Sequence, residues 1–156
     1  MNSFTSPVTA TLEAKGIPFR IFHHPGPILN LEQAAQERGQ SPDQVVRSIL
    51  FRLGEGKFAM VLVAGDRQIS WPVLRKHLGQ SRLSLASKDE VLTATGYQLG
   101  AVSPFGLPQP IPILVDKSVF AQEEISLGSG VRGTAIILRT SDFLIALDTY
   151  DQGKLT

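Results

Sequence analysis

The sequence predicts a mixed α+β fold, a single domain with a curved, largely antiparallel mixed sheet surrounded by helices. Three observations predict it. Capped helical segments and apolar strand-like runs are interspersed without the regular strand–helix alternation of a doubly wound sheet. Gly54-Glu55-Gly56-Lys57 separates two apolar runs and reads as a hairpin turn, which requires at least one antiparallel pair. The chain has 156 residues, the size of one ordinary domain, and can bury a core without covalent staples.

Each element follows from local chemistry. Ser6-Pro7 supplies a cap and a proline at the first helical position, and Gly16 closes that helix. Ile17–Phe22 reads as a strand, broken by His23-His24-Pro25-Gly26-Pro27. Asn30 with Gln33 caps a helix over Leu31–Arg38, which Gly39 ends. Ser41-Pro42-Asp43-Gln44 starts a helical turn, after which Val45–Leu53 and Phe58–Val63 read as the two hairpin strands. A short strand is expected near Gln68–Ser70, a helix over Trp71–Leu78 stopped by Gly79, and a short strand over Arg82–Leu85. Ser87 with Glu90 caps the helix Lys88–Thr95, and Gly96 terminates it. Residues 100–112 hold four prolines and two glycines in an apolar setting, so they form a packed, rigid loop. Strands near Ile113–Val115, Glu124–Leu127 and Thr134–Arg139 follow, the last two joined by the glycine loop 128–133. Ser141 caps a final helix, Asp142–Leu147.

Composition narrows the chemistry. There is no cysteine, which excludes disulfides, zinc–thiolate sites and a thiol nucleophile. The N-terminal residues lack a signal-peptide pattern and no apolar run approaches the ~18 residues of a membrane span, so a cytoplasmic protein is expected. The net charge is +1, yet Arg38–Lys88 holds nine basic and three acidic residues, a local +6. Such a middle either steers a polyanion or forms a solvated face balanced by acids folded over it. No Gly-x-Ser-x-Gly elbow, P-loop or His-Glu-x-x-His motif is present. His23, His24 and His77 show no ligand spacing and read as surface or half-buried side chains. Catalysis, if any, rests on main-chain donors, basic side chains and positioned water.

Four segments carry a resemblance. Val45-Val46-Arg47-Ser48-Ile49-Leu50-Phe51 resembles a Val-Lys-[Thr/Ser]-Leu strand, and Asp66-Arg67-Gln68-Ile69-Ser70 a Gly-Asp-Arg-x-[Val/Leu]-Asp stretch with Ser70 in place of the acid. Gly96-Tyr97-Gln98-Leu99-Gly100-Ala101-Val102-Ser103-Pro104-Phe105-Gly106 resembles Gly-Tyr-x-x-Gly-Gly-[Val/Ile]-Ser-Pro-x-Gly. Gly128-Ser129-Gly130-Val131-Arg132-Gly133 resembles Gly-[Ala/Gly]-Gly-x-Arg-Gly. In order and from about Ile17 to Leu147, these blocks are similar to the YbaK/EbsC-like family, the prolyl-tRNA-synthetase-associated insertion-domain family.

The resemblance implies a free-standing aminoacyl-tRNA deacylase that hydrolyses the ester of a mischarged tRNA, of the Ala- or Cys-tRNA(Pro) or Pro-tRNA(Cys) type. It implies no metal or organic cofactor, mischarged tRNA as partner, and an aminoacyl-tRNA synthetase as a possible second one. Carried onto this chain, the catalytic candidates are Arg47, Gly100 and Gly128. The substrate-binding candidates are Phe22, Ser48, Ala101, Val102, Ser103, Pro104, Ser129, Gly130 and Arg132, with Phe22, Ile49, Val102 and Pro104 as walls of a side-chain pocket. Glycine amides can face a developing oxyanion without side-chain obstruction. Arg52, Lys57, Arg67, Arg75, Lys76 and Arg82 are the candidates for tRNA phosphate contact. Arg47 stands where the family carries Lys; a guanidinium supplies charge and hydrogen bonds but no neutral-amine base. That exchange, with Ala101 for Gly and Ala135 where some members carry an acid, motivates the alternative of a non-catalytic module that binds tRNA ends or a synthetase.

Overall fold

Two sheets form the framework of the computed structural model, which describes residues 4–156. The first has three antiparallel strands in the order β1-β7-β6: β1 is Arg20–His23, β6 Glu124–Gly128 and β7 Thr134–Arg139. The second has five strands in the order β4-β2-β3-β5-β8. Its β2 (Val46–Gly54) and β3 (Lys57–Ala64) form the expected hairpin, with Arg47 opposite Val63. Strand β4 (Ser84–Leu85) pairs antiparallel with β2, whereas β5 (Ile113–Asp116) and β8 (Asp151–Gly153) pair in parallel fashion. Among the described residues one parallel main-chain bridge, Val45 to Ser126, joins the sheets, which also pack through a shared core.

Among the described residues five α-helices surround them: α1 (Pro7–Ala14), α2 (Leu31–Glu37), α3 (Trp71–Leu78), α4 (Lys88–Thr95) and α5 (Thr140–Leu147). The caps read from sequence at Ser6, Asn30 and Ser87 are in place, each side chain accepting a main-chain N–H of the first turn, and Ser70 does the same for α3. Gly79 and Gly96 close α3 and α4 in the left-handed conformation.

The larger core fills the space between the sheets and includes Val46, Leu50, Met60, Leu62, Val102, Ile125, Leu127, Ile136 and Phe143. A smaller one lies on the other face of the five-stranded sheet, where Phe51, Ala59, Val61 and Leu114 meet Leu74 of α3. The loop over residues 101–105 is buried throughout, as its prolines suggest.

Some elements differ from expectation. The mixed α+β fold with surrounding helices forms as expected, but its strands are divided between two sheets. Residues 68–70 form no strand; the Ser70 N–H bonds the Leu155 carbonyl, and Ser70 caps α3. The first strand begins at Arg20, after Pro18, and the last helix begins at Thr140, one residue before the expected Ser141 cap. A 3-10 turn, Lys117–Ala121, and strand β8 carried no sequence signal that was read as such.

Candidate active site between two open strand edges

The main-chain geometry of β2 builds one wall of the site. The Leu50 carbonyl accepts the Ala86 N–H at 3.0 Å, which fixes the side toward which Leu50 projects its main-chain groups. Alternation sends the peptide groups of Val46 and Ser48 to the same side. Strand β4 pairs only with Phe51 and Arg52, so beside Ser48 that edge has no neighbouring strand. The facing wall is β6. Its Glu124 carbonyl accepts from Gln44 Nε2 at 3.0 Å and its Ser126 bridges Val45, so Gly128, two residues on, projects its peptide groups at β2. The two edges diverge from the Val45–Ser126 bridge, and a cavity of about 320 Å³ opens between them.

Arg47, Ser48, Ile49, Gly100, Val102, Leu127 and Gly128 line this cavity, together with Ile28, Arg38, Val45, Val46, Leu99 and Thr134. Of the candidates, Arg47, Ser48, Ile49, Gly100, Val102 and Gly128 are therefore brought together. Gly100 has φ of 91°, and its N–H donates to no group among the described residues. At Gly128 a Cβ would lie 3.0 Å from the Ala101 carbonyl carbon and far inside the contact radius of the Val102 oxygen. Only glycine lets the 101–102 main chain seat against β6 there. The Ser48 hydroxyl oxygen is buried and hydrogen-bonds nothing among the described residues.

Arg47 lies on the lining strand, but its side chain is held away from the glycine amides. Alternation along β2 puts its side chain with Ile49 and Phe51, on the α3 side of the sheet. There Nε donates to the Gly65 carbonyl at 2.7 Å and Nη2 donates to the Arg67 carbonyl. Burial lowers its pKa from the ordinary guanidinium value, and nearby Asp66 opposes that.

The remaining candidates do not line the cavity. Phe22 packs edge-on against His24, with ring centroids 4.8 Å apart. Ala101 and Ser103 are buried in the supporting loop, and Pro104 lines a separate groove with residues 107–113 and 149–151. Ser129 is spent on Val131 and Thr134, and the Gly130 N–H on the Ala101 carbonyl. Arg132 Nε donates to the Leu99 carbonyl at 2.9 Å, holding the turn that presents Gly100.

The basic candidates do not form one stripe. Arg52 pairs with Glu90 at 3.0 Å and Arg67 with Asp43 at 2.8 Å. Arg67 sits beside Arg47, whereas Arg52 lies five residues along β2, about 17 Å away at strand rise. Lys57 is exposed at the hairpin, Lys76 and Arg82 are exposed, and Arg75 is half-buried in the last turn of α3.

Sequence reasoning missed one part of the site. Arg38, the residue that ends α2, lines the cavity. Its Nε donates to His24 Nε2 at 3.1 Å and its Nη1 to Ser126 Oγ at 2.9 Å. His24 Nδ1 lies 2.6 Å from Glu37 Oε1. Because arginine only donates, His24 Nε2 is the acceptor and Nδ1 carries the proton toward Glu37. Hydrogen bonds from Gln33 and then His24 hold the Glu37 carboxyl below the usual carboxylate range. Burial brings Arg38 down to about 10, so it stays charged at neutral pH. The His24 side chain is 0% exposed, where a surface or half-buried histidine was expected. No local signal announces this trio, because His24 and Glu37 are separated by thirteen residues and meet only when α2 folds over the end of β1.

Among the described residues no group of three or more metal-ligating side chains is placed to hold an ion, and no helix is long and apolar enough to cross a membrane.

Comparison with known proteins gives this geometry a context. The chain is 29% identical over 139 residues to the multifunctional Ser/Thr-tRNA deacylase ProXp-y of Escherichia coli K12, covering 86% of this chain and 83% of that protein. It is 30% identical over 111 residues to a proline–tRNA ligase of Pseudothermotoga lettingae, covering 71% of this chain but 19% of the ligase. A crystal structure described as a candidate trans-editing enzyme for prolyl tRNA synthetase has the same fold, with a TM-score of 0.87, 24% identity and 99% of each chain covered. Residues 25–145, which include both strand edges, the 99–102 loop and the His24-proximal end of α2, match the aminoacyl-tRNA editing domain, and the chain belongs to that family.

Proposed function

We propose that the protein is an aminoacyl-tRNA deacylase that acts in trans, hydrolysing the ester of a small amino acid wrongly joined to tRNA. The observation that carries this reading is the cavity between two unpaired strand edges, in a chain of the editing-domain family. An aminoacyl ester is already activated, so the site must position a water and stabilise the oxyanion rather than supply a nucleophile. The free Gly100 N–H and the edge peptides of Ser48 and Gly128 are suited to that task. Removing one such donor typically costs about 3–4 kcal/mol of barrier. Arg47 contributes positive charge and holds the 65–67 turn against β2; a guanidinium held by two carbonyls has no role as a base. A volume of about 320 Å³ admits a small aminoacyl group.

Action in trans is supported by the relative that the chain matches over 83% of its length, which is not a synthetase by name. A synthetase partner is consistent with the occurrence of this domain in proline–tRNA ligases. The test is deacylation of a panel: alanyl- and cysteinyl-tRNA(Pro), prolyl-tRNA(Cys), and seryl- and threonyl-tRNAs. At least one ester is expected to be lost well above the buffer rate. Loss of none would leave a binding module in place of an enzyme.

A further inference from the structure

We infer that Arg38 is a catalytic residue that meets the negative charge developing on the substrate ester, and that His24 and Glu37 are its positioning residues. The inference rests on the deacylase reading and adds to it a cation that the sequence motifs do not contain.

Three observations carry it. First, Arg38 is a part-buried cation on the cavity wall with no carboxylate within ion-pair distance among the described residues; neutral His24 stands between it and Glu37. A charge drawn partly out of water is costly unless something compensates it. Second, its donors are only partly spent. Nε is taken by His24 and one Nη1 hydrogen by Ser126, which leaves Nη2 without a partner among the described residues. Third, its position is fixed relative to the glycine amides. Ser126 and Gly128 lie on one face of β6, two residues or about 7 Å apart. Arg38 stands over Ser126, and the main chain of Ala101–Val102 stands over Gly128. The gap between cation and loop takes an ester carbonyl.

Arg47 is placed differently, since its side chain is held by two main-chain carbonyls on the α3 side of the sheet. The Glu37–His24–Arg38 chain works by orientation. Glu37 accepts from Nδ1 and so fixes the imidazole tautomer, which leaves Nε2 to hold the guanidinium plane. In the hydrolysis, water adds to the ester carbonyl carbon and the carbonyl oxygen gains the negative charge beside Arg38. Collapse then breaks the bond to the ribose oxygen, which takes up the proton from the attacking water, and frees the amino acid.

The experiment has a kinetic arm and a binding arm. On an ester that the wild type hydrolyses, Arg38→Met is expected to lower kcat about 100-fold, the loss typical of an oxyanion donor, with KM little changed. Arg38→Lys should recover part of it. His24→Ala should lower kcat by about tenfold, and His24→Gln, which keeps an acceptor for Arg38 and a donor for Glu37, should restore most of that. A rise in KM with kcat unchanged would make Arg38 a phosphate or ribose contact and overturn the inference, while leaving the deacylase reading intact. The binding arm needs no turnover. A phosphonate analogue of 3′-aminoacyl-adenosine, anionic and tetrahedral, should bind the wild type at least tenfold more tightly than the neutral amide analogue, and Arg38→Met should abolish that preference. Equal binding of the two analogues by the wild type, or an unchanged preference in Arg38→Met, overturns the inference. Thermal melts of each variant separate these outcomes from unfolding.

Discussion

A Cβ on Gly128 would collide with the carbonyl oxygen of Val102, so no side chain fits between strand β6 and the loop that carries Gly100. The neighbouring atoms are main chain, so the loop must lift to admit even a methyl group. Gly128→Ala is expected to cost about 1–3 kcal/mol, as overpacking does, and to lower Tm by about 2–4 °C for each kcal/mol. Hydrolysis should be lost beyond what the melt explains, since Gly100 moves with the loop. Calorimetry and deacylation on the same preparation measure both effects.

Arg47 links stability to activity. Its Nε and Nη2 hold the carbonyls of Gly65 and Arg67. Arg47→Ala strands both acceptors and should destabilise by about 1–3 kcal/mol while abolishing hydrolysis. Arg47→Lys keeps the charge and one hydrogen bond, and should retain activity or raise it. Equal rates in all three proteins would remove this cation from the mechanism.

The hydroxyl of Ser48 is buried without a partner among the described residues. Ser48→Ala relieves an unmet hydrogen-bonding group and should leave Tm unchanged or raise it by a few degrees. If that hydroxyl reads a polar group of the substrate, the variant should lose more activity on seryl- than on alanyl-esters, because unpaired buried polar groups discriminate more sharply than apolar contact. Parallel rates on the two esters in wild type and variant measure it.

Tyr97 anchors the loop. Its hydroxyl donates to the Phe105 carbonyl at 2.5 Å, and burial pushes its pKa up to about 12. The unfolded chain therefore releases this proton near pH 10, before the folded one does. Between pH 10 and about 12 the unfolded state binds fewer protons, so stability falls as pH rises through that window. Tyr97→Phe should flatten that alkaline slope. At neutral pH it should cost about 1 kcal/mol through the lost hydrogen bond. Denaturant melts across the alkaline range test the sign.

Much of this was legible in the sequence where the signal is local. Caps such as Ser87 with Glu90, the Gly54–Lys57 hairpin and the proline-rich loop are written in adjacent residues, and each forms as expected. Residues 45–49, 99–102 and 127–128 could be placed in one site only because motifs linked them, since no periodicity says that β2 and β6 face each other. Long-range features stayed hidden. Strand β8 is three residues, Asp151–Gly153, with no apolar alternation, and exists because β5 offers it an edge. The expected strand at 68–70 failed for the converse reason: the Ser70 N–H is taken by Leu155, and the segment is consumed in starting α3. Arg38 was counted among the basic residues, yet its use depends on His24 and Ser126, which are distant in sequence.

Joining the strand edges of two sheets at the Val45–Ser126 main-chain bridge makes the opening a wedge. Its angle is governed by ties outside the mouth, among them Gln44 to the Glu124 carbonyl and Gln40 to the Glu124 carboxylate at 3.1 Å. Substitution at Gln40 or Gln44 would thus alter the bulk that the opening admits, with every group around the mouth left as it is.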